Sequence, residues 1–331
     1  MERIGVGFSG GLQPSEVVEC VTYAEELGYD SAWMTEGHGG DQFTILTACA
    51  LSTSRIMLGT SISSVFARSA PTIAIAAACV DEFSKGRFIL GLGSSHRVQV
   101  VDEHGLAYGK PLTRTRESVD IIRALLRDGQ VSYQGEIFKI EGYDLWFTPF
   151  RREIPVYLGA VNPRMLALCG QTAQGVILTR STVEQAKAAI GHVCAGAVGA
   201  GREPREVELA LQLACSVSDN KEEARDRIRD RVAMYAARFP RYRGVMEDAG
   251  FTEEVQAIRE AWNQGSRARA QSLVPDELID SMSLVGTPEE CRERIQTYRD
   301  AGITLPIIML SVDGERALEQ AKETIRTCAP A

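Results

Sequence analysis

Two of the chain's four histidines stand at the ends of short apolar segments and are surrounded by small residues. His96 follows the stretch FILGLGSS, and His38 follows SAWMTEG, two residues after Glu36. Histidine exchanges protons near neutral pH, and a neighbouring carboxylate can act with it in proton transfer. We therefore take His96, His38 and Glu36 as the candidate catalytic residues.

Each of these three residues also has a purely structural interpretation. His38 lies between glycines and could be an exposed loop residue, and Glu36 could cap the helix that follows it. His96 could cap a helix or pair with Asp102 or Glu103. The residues alone leave both interpretations open.

The glycines before His96 raise the question of a dinucleotide-binding fingerprint. That motif needs a third glycine three positions after the second, where strand and helix pack closely. Counting from Gly91 and Gly93, the third position is His96. The sequence therefore does not favour a Rossmann-type nucleotide site.

Short apolar segments alternate with longer amphipathic ones, a pattern typical of repeated βα units and a parallel sheet. Eight predicted strands, each followed by a helix, favour a closed (β/α)8 TIM barrel, an α/β fold, over an open sheet. We treat residues 1–331 as a single barrel domain with an extended or hairpin insertion at 127–152 and a helical excursion at 219–282, between strands seven and eight. The predicted strands are 4–8, 31–35, 56–61, 88–91, 155–159, 175–178, 209–217 and 305–310.

The active sites of such barrels lie at the carboxyl ends of the strands. At these ends the chain carries mostly glycine and small hydroxyl residues, which allow the backbone to approach a flat ligand or a phosphate. The loops at 159–162 and 179–182 could bind a phosphate through backbone N–H groups at helix starts, or could be tight turns only.

The composition narrows the class of partner. A net charge of -8 argues against a nucleic-acid or anionic-membrane surface, so we expect a small-molecule substrate. The chain starts without a signal-peptide pattern and contains no apolar run long enough for a membrane span. Its eight cysteines are scattered and form no Cys-x-x-Cys pair, which fits reduced thiols. The sequence therefore predicts a cytoplasmic protein with no metal site.

Several segments together resemble a known family. SAWMTEGH, LGTSISSVFARSAPTIAIAAACVDEFSKGRFILGLGSS, VYLGAVNPRMLALCGQTAQGVIL and SLVGTPEECRERIQTYRDAGI are similar to the bacterial luciferase-like flavin and deazaflavin oxidoreductases. Within that superfamily they resemble the coenzyme F420-dependent branch typified by methylenetetrahydromethanopterin reductase. The resemblance covers most of the chain and weakens between residues 219 and 280.

This resemblance implies a barrel enzyme that transfers a hydride between coenzyme F420 and a small organic substrate. It places a non-prolyl cis peptide at Ser61-Ile62, behind the deazaflavin ring, and Glu36 and His38 facing that ring. It places His96 where sugar-phosphate dehydrogenases of the branch carry a proton-handling glutamate. The cofactor-binding residues expected from the resemblance and from the small-residue rim are Ser61, Ile62, Ser63, Gly93, Gly159, Ala160, Thr179, Arg180 and Thr182.

One departure from the family limits what can be transferred. Relatives of the methanopterin reductase carry a glutamate on strand one where this chain has Gly7, so their substrate is not carried over. An FMN-dependent luciferase-like monooxygenase and a flavin-binding protein without catalysis remain alternatives. The resemblance also implies a homodimer or higher homo-oligomer.

Overall fold

The computed structural model describes residues 2–330. Its strands are β1 (Gly5–Phe8), β2 (Ser31–Met34), β3 (Met57–Thr60), β4 (Ser63–Ser64), β5 (Phe88–Gly93), β6 (Gln130–Gln134), β7 (Lys139–Asp144), β8 (Val156–Gly159), β9 (Gly175–Thr179), β10 (Glu208–Val217), β11 (Ser283–Gly286) and β12 (Leu305–Leu310). Its α-helices are α1 (Pro14–Glu26), α2 (Gln42–Ser52), α3 (Ala70–Phe83), α4 (Pro111–Asp128), α5 (Pro163–Thr172), α6 (Val183–Gly199), α7 (Lys221–Arg238), α8 (Pro240–Asp248), α9 (Thr252–Asn263), α10 (Arg267–Ser272), α11 (Asp276–Met282), α12 (Pro288–Asp300) and α13 (Ala317–Thr327).

Eight parallel strands close into a barrel in the order β1, β2, β3, β5, β8, β9, β10 and β12. Three pairings complete the closed barrel: β9 with β10, β10 with β12, and β12 with β1. These eight strands are the eight predicted from the sequence, so the predicted TIM barrel is confirmed. Side-chain caps stabilise the starts of several helices. A backbone N–H of the first turn donates a hydrogen bond to the side chain of Asp41, Ser69, Asn162 or Thr287.

The third barrel strand is interrupted at its carboxyl end. β3 pairs with β5 only through Leu58 and Gly59, and the chain then bulges before β4 resumes the pairing with the end of β5. In the bulge the Thr60 hydroxyl donates to the Gly91 carbonyl at 2.7 Å and accepts from the Gly91 N–H at 2.9 Å. The peptide bond Ser61-Ile62 is cis, as the family resemblance implied.

Glycines allow the strands to approach one another around this bulge. A Cβ on Gly91 would lie 1.8 Å from the Thr60 carbonyl oxygen, and one on Gly93 would lie 2.8 Å from Ile62 Cγ1. Inside the barrel, a Cβ on Gly59 would lie 2.4 Å from the Trp33 ring. Each glycine therefore leaves space that a neighbouring group fills.

Two segments depart from the βα repeat. β6 and β7 form an antiparallel hairpin after α4. Five helices, α7 to α11, follow β10 and have a hydrophobic core of their own that includes Ile228, Met246, Ile258 and Leu278. The short strand β11, which the sequence analysis did not predict, follows these helices and pairs with the end of β10.

No helix within residues 2–330 is both long and apolar enough to cross a membrane. The same part of the chain contains no group of three or more histidine, cysteine and acidic side chains that could hold a metal ion.

Candidate active site

A cavity of about 500 Å³ opens at the carboxyl ends of the barrel strands. Residues from most of the strand ends line it, and α7 and α8 contribute one wall. Ten of the twelve predicted site residues lie on its surface: Glu36, His38, Ser61, Ile62, Gly93, His96, Gly159, Ala160, Thr179 and Arg180.

Ser63 and Thr182 are the two predicted residues that do not line this cavity. The Ser63 side chain is fully buried beneath the bulge. Thr182 caps α6, because its hydroxyl accepts a hydrogen bond from the Gln185 N–H at 3.3 Å. Thr182 thus stabilises the start of α6, and it does not line this cavity.

The bulge of the third strand forms part of the cavity surface. Ile62 projects there, and Gly93 and Gly159 leave room for it, since a Cβ on Gly159 would lie 3.1 Å from Ile62 Cγ2. Gln212 from β10 approaches the Ser61 carbonyl with its Nε2 at 3.4 Å. The Ser61 hydroxyl is buried and has no hydrogen-bond partner within residues 2–330. A buried polar atom of this kind is suited to receive a ligand group.

Glu36 does not pair with His38, although the two residues are only two positions apart in the chain. Its carboxylate accepts from the Ser64 N–H and from the Arg68 guanidinium, which also contacts Asp41. These contacts hold the bulge to the loop after β2. Glu36 therefore lines the cavity as a paired carboxylate.

His38 pairs with a residue far along the chain. Its Nε2 lies 3.2 Å from Glu103 Oε2, and the other oxygen of Glu103 accepts from Arg238 at 3.0 Å. The side chain of His38 is 82% exposed. Hydrogen bonds from His38 and Arg238 lower the pKa of Glu103 against the opposing effect of its burial. The three side chains connect two strand-end loops to α7 at the mouth of the cavity.

His96 lies among aromatic rings of α7 and α8. Its ring centroid is 4.5 Å from that of Phe239, 4.9 Å from that of Tyr242 and 6.2 Å from that of Tyr235. Burial, together with the positive charges of Arg180 and Arg241, lowers the pKa of His96 to about 4. The near-neutral pKa expected from the sequence is therefore wrong, and His96 is a neutral imidazole at pH 7.

The low pKa of His96 predicts a pH dependence of stability. Below its ordinary pKa of 6.5 the unfolded chain binds a proton that the folded chain does not bind until about pH 4. This group therefore contributes stability at pH 7 that is lost as the pH falls from about 6.5 to about 4. We expect the thermal midpoint to fall between pH 7 and pH 5 by more in the wild type than in His96→Gln, measured by circular dichroism. An equal fall in both proteins would contradict the low pKa.

The sequence analysis missed the basic and aromatic wall of the cavity. Its members come from one face of α7 and the start of α8, at spacings of three and four residues: Arg231, Met234, Tyr235, Arg238, Phe239, Arg241 and Tyr242. This spacing could have indicated a helix face that combines arginine with aromatic residues. The sequence instead predicts this segment only as a helical excursion between strands seven and eight.

Arg180 extends this wall from the loop after β9. Its guanidinium carbon lies 3.6 Å from the centroid of the Tyr235 ring, a stacked cation–π arrangement. Its backbone has a φ of 52°, a left-handed conformation that non-glycine residues seldom adopt. The loop therefore aims the guanidinium at α7 and the cavity.

The chain that forms this barrel and site belongs to a known protein family. The family model for luciferase-like monooxygenases matches residues 3–305, and the chain is a member of that family. The family resemblance seen in the sequence is thereby confirmed.

Particular relatives refine the comparison. The chain is 34% identical over 308 residues to the 5,10-methylenetetrahydromethanopterin reductase of Archaeoglobus fulgidus, covering 91% of each protein. It is 33% identical over 303 residues to the enzyme of the same name from Methanolobus tindarius, again covering 91% of each. The fold superposes with a TM-score of 0.88 on the coenzyme F420-dependent tetrahydromethanopterin reductase of Methanopyrus kandleri, at 25% identity and over 99% of this chain and 98% of that one.

Proposed function

We propose that this protein is an oxidoreductase that transfers a hydride between coenzyme F420 and a small organic substrate. The observation that carries the proposal is the cavity at the strand ends, which combines a surface of small residues with a cationic wall. Gly93 and Gly159 let Ile62 form a flat surface beside Ser61 on which a ring system could rest, and Arg180 and Arg241 provide positive charge for an acidic tail. The solved structure of the coenzyme F420-dependent tetrahydromethanopterin reductase, which has the same fold, supports the same assignment.

The residues of the cavity fit this cofactor. The deazaflavin ring would rest against Ile62 and the Ser61 hydroxyl, which has no protein partner within residues 2–330. Its phosphate would lie near Gly159, Ala160, Thr179 and Arg180. When bound, the cofactor supplies the hydride chemistry, and the protein contributes orientation and proton transfer.

His96 is the proposed proton-handling residue. It lines the cavity, and at pH 7 it is a neutral imidazole, the form that acts as a general base. His38 and Glu36 are already paired with Glu103 and Arg68, so we assign them to holding the loops around the substrate. This assignment ranks His96 above the other two candidates.

The substrate of the methanopterin reductases is not part of the proposal. At the position where the resemblance places their strand-one glutamate, a Cβ on Gly7 would lie 2.2 Å from the Met309 sulfur. The thioether thus occupies the space that the first atoms of a longer side chain would need. This part of the site is apolar, and the reacting group is expected to differ accordingly.

A titration of the purified protein with F420 and with FMN tests the cofactor assignment. We expect saturable F420 binding, followed by cofactor fluorescence, and much weaker FMN binding because the open cationic wall suits a long acidic tail. In Arg180→Met, F420 affinity should fall about tenfold. The matched control is Arg205→Met, which alters an exposed arginine in the turn before β10, at the opposite end of the barrel. Tight FMN binding without measurable F420 binding would instead support the monooxygenase alternative.

A cytoplasmic location and a homo-oligomeric state remain part of the proposal. Light scattering coupled to size exclusion measures the second directly. We expect a mass of at least two chains.

A further inference from the structure

The cavity contains more positive charge than its own carboxylates balance. Within residues 2–330 only two acidic side chains line it, Glu36 and Glu103. Glu36 is paired with Arg68, and Glu103 is paired with His38 and Arg238. Every carboxylate of the cavity is therefore committed to a protein cation.

Three arginines of the same cavity have no acidic partner within the described residues: Arg180, Arg231 and Arg241. Arg180 stacks on Tyr235, and Arg241 donates to the Tyr108 hydroxyl at 3.2 Å. Arg231 donates through one Nη1 to the Ser9 hydroxyl at 2.8 Å. Three uncompensated guanidinium groups in one cavity of a protein with net charge -8 indicate an anionic ligand.

Arg231 differs from the other two in position. Ser9, its partner, directly follows β1, and β1 lies three strands from β9 around the barrel. The proposed phosphate position lies at the ends of β8 and β9, so Arg231 is held toward the other side of the cavity. Burial and the charge of Arg180 lower the pKa of Arg231, and they outweigh the opposing effects of Tyr235 and Asp230.

From this placement we propose that Arg231 binds the anionic group of the substrate, and that the substrate is a small organic oxyanion with an apolar body. Guanidinium binds carboxylate and phosphate through paired N–H donors, which suits either group. The apolar body would pack against Met234 and Met309, which line the same cavity. This inference rests on the proposed function, since it names the substrate class for that site.

Ligand-observed NMR with three probes of similar shape tests the inference. Benzoate carries a carboxylate, phenyl phosphate carries a phosphate, and benzamide is the neutral control. We expect benzoate or phenyl phosphate to bind the wild type with a dissociation constant on the order of 1 mM, at least about tenfold more tightly than benzamide. The tighter of the two anions identifies the group that the substrate carries.

Variants of the arginine and of its partner locate the binding. Arg231→Met should weaken anion binding at least about tenfold and leave the affinity for benzamide unchanged. Ser9→Ala keeps the charge of Arg231 but removes the hydroxyl that orients its guanidinium group. It should weaken anion binding roughly threefold. Arg205→Met, far from the cavity, should bind the anions as the wild type does. Unchanged anion affinity in both Arg231→Met and Ser9→Ala would overturn the inference.

Repeating the titrations with F420 present separates the two proposals. If the loaded protein still binds the anion, Arg231 serves the substrate as inferred. If F420 abolishes anion binding, Arg231 belongs to the cofactor tail and the inference fails while the proposed function stands. If F420 does not bind at all, the proposed function fails, and anion binding to the free protein still decides the role of Arg231.

Discussion

Gly91→Ala is expected to destabilise the protein by more than about 3 kcal/mol, because the new methyl group meets main chain and not a movable side chain. Its Cβ would lie 1.8 Å from the Thr60 carbonyl oxygen. Thr60 cannot retreat without losing both hydrogen bonds between its hydroxyl and the Gly91 backbone. Urea unfolding followed by circular dichroism measures the loss, and we expect a lower midpoint with little soluble protein at 37 °C, a temperature at which destabilised variants commonly fail.

Gly191→Ala provides the matched control for this substitution. Gly191 lies within α6, and apart from its chain neighbours and the backbone of its own helix no atom of residues 2–330 comes within 4 Å of an added Cβ. Alanine there should stabilise the protein by about 0.5–1 kcal/mol through helix propensity. A Gly91→Ala protein with wild-type stability would show that the bulge of the third strand relaxes freely, and the argument for its close fit to β5 would fail.

The barrel strands are predictable because their surroundings are simple. A strand such as Phe88–Gly93 is buried on both faces, so it is apolar throughout and is bounded by polar or glycine-containing turns. The strand β11 (Ser283–Gly286) could not be predicted from its apolar pattern in the same way. Its residues extend the sheet only because β10 is long enough to offer its last residues as a partner, and a single short segment carries no sign of that pairing.

The site was predicted only where it follows the strand ends. Glu36 and His38 are two residues apart, yet their partners are Arg68 and Glu103, which the sequence does not identify. The environment of His96 depends on α7 and α8. Because these helices lie far from His96 along the chain, the sequence does not indicate the contact. A pKa is set by burial and by neighbouring charges, so the low pKa of His96 could not be predicted before those helices were placed.

The acidic tail of the cofactor and the proposed proton-handling residue are linked through this environment. Burial lowers the pKa of His96, and so do Arg180 and Arg241. The acidic tail, which we place against these two arginines, would offset part of their charge and so raise the pKa of His96. Cofactor binding would thereby bring the imidazole closer to the pKa at which it exchanges a proton near pH 7.

His96→Ala is expected to lower kcat about 100-fold while the dissociation constant of F420 changes less than about twofold. The substitution removes the proposed proton acceptor. The surface at Ile62 proposed to contact the deazaflavin ring and the loops at 159–162 and 179–182 proposed to bind the phosphate stay in place. Steady-state rates with the fastest small-anion substrate, followed through the visible absorbance of F420, give kcat, and fluorescence titration gives the cofactor affinity.

Two other histidine variants make that result specific. His192→Ala alters an exposed histidine on α6 and should leave kcat unchanged. His38→Ala breaks the contact with Glu103 at the cavity mouth, which connects two of the loops around the substrate. It should therefore raise KM more than it lowers kcat. If His38→Ala instead abolishes turnover and His96→Ala does not, the proton passes through the loop after β2, and the aromatic surroundings of His96 serve only to pack α7 and α8 onto the barrel.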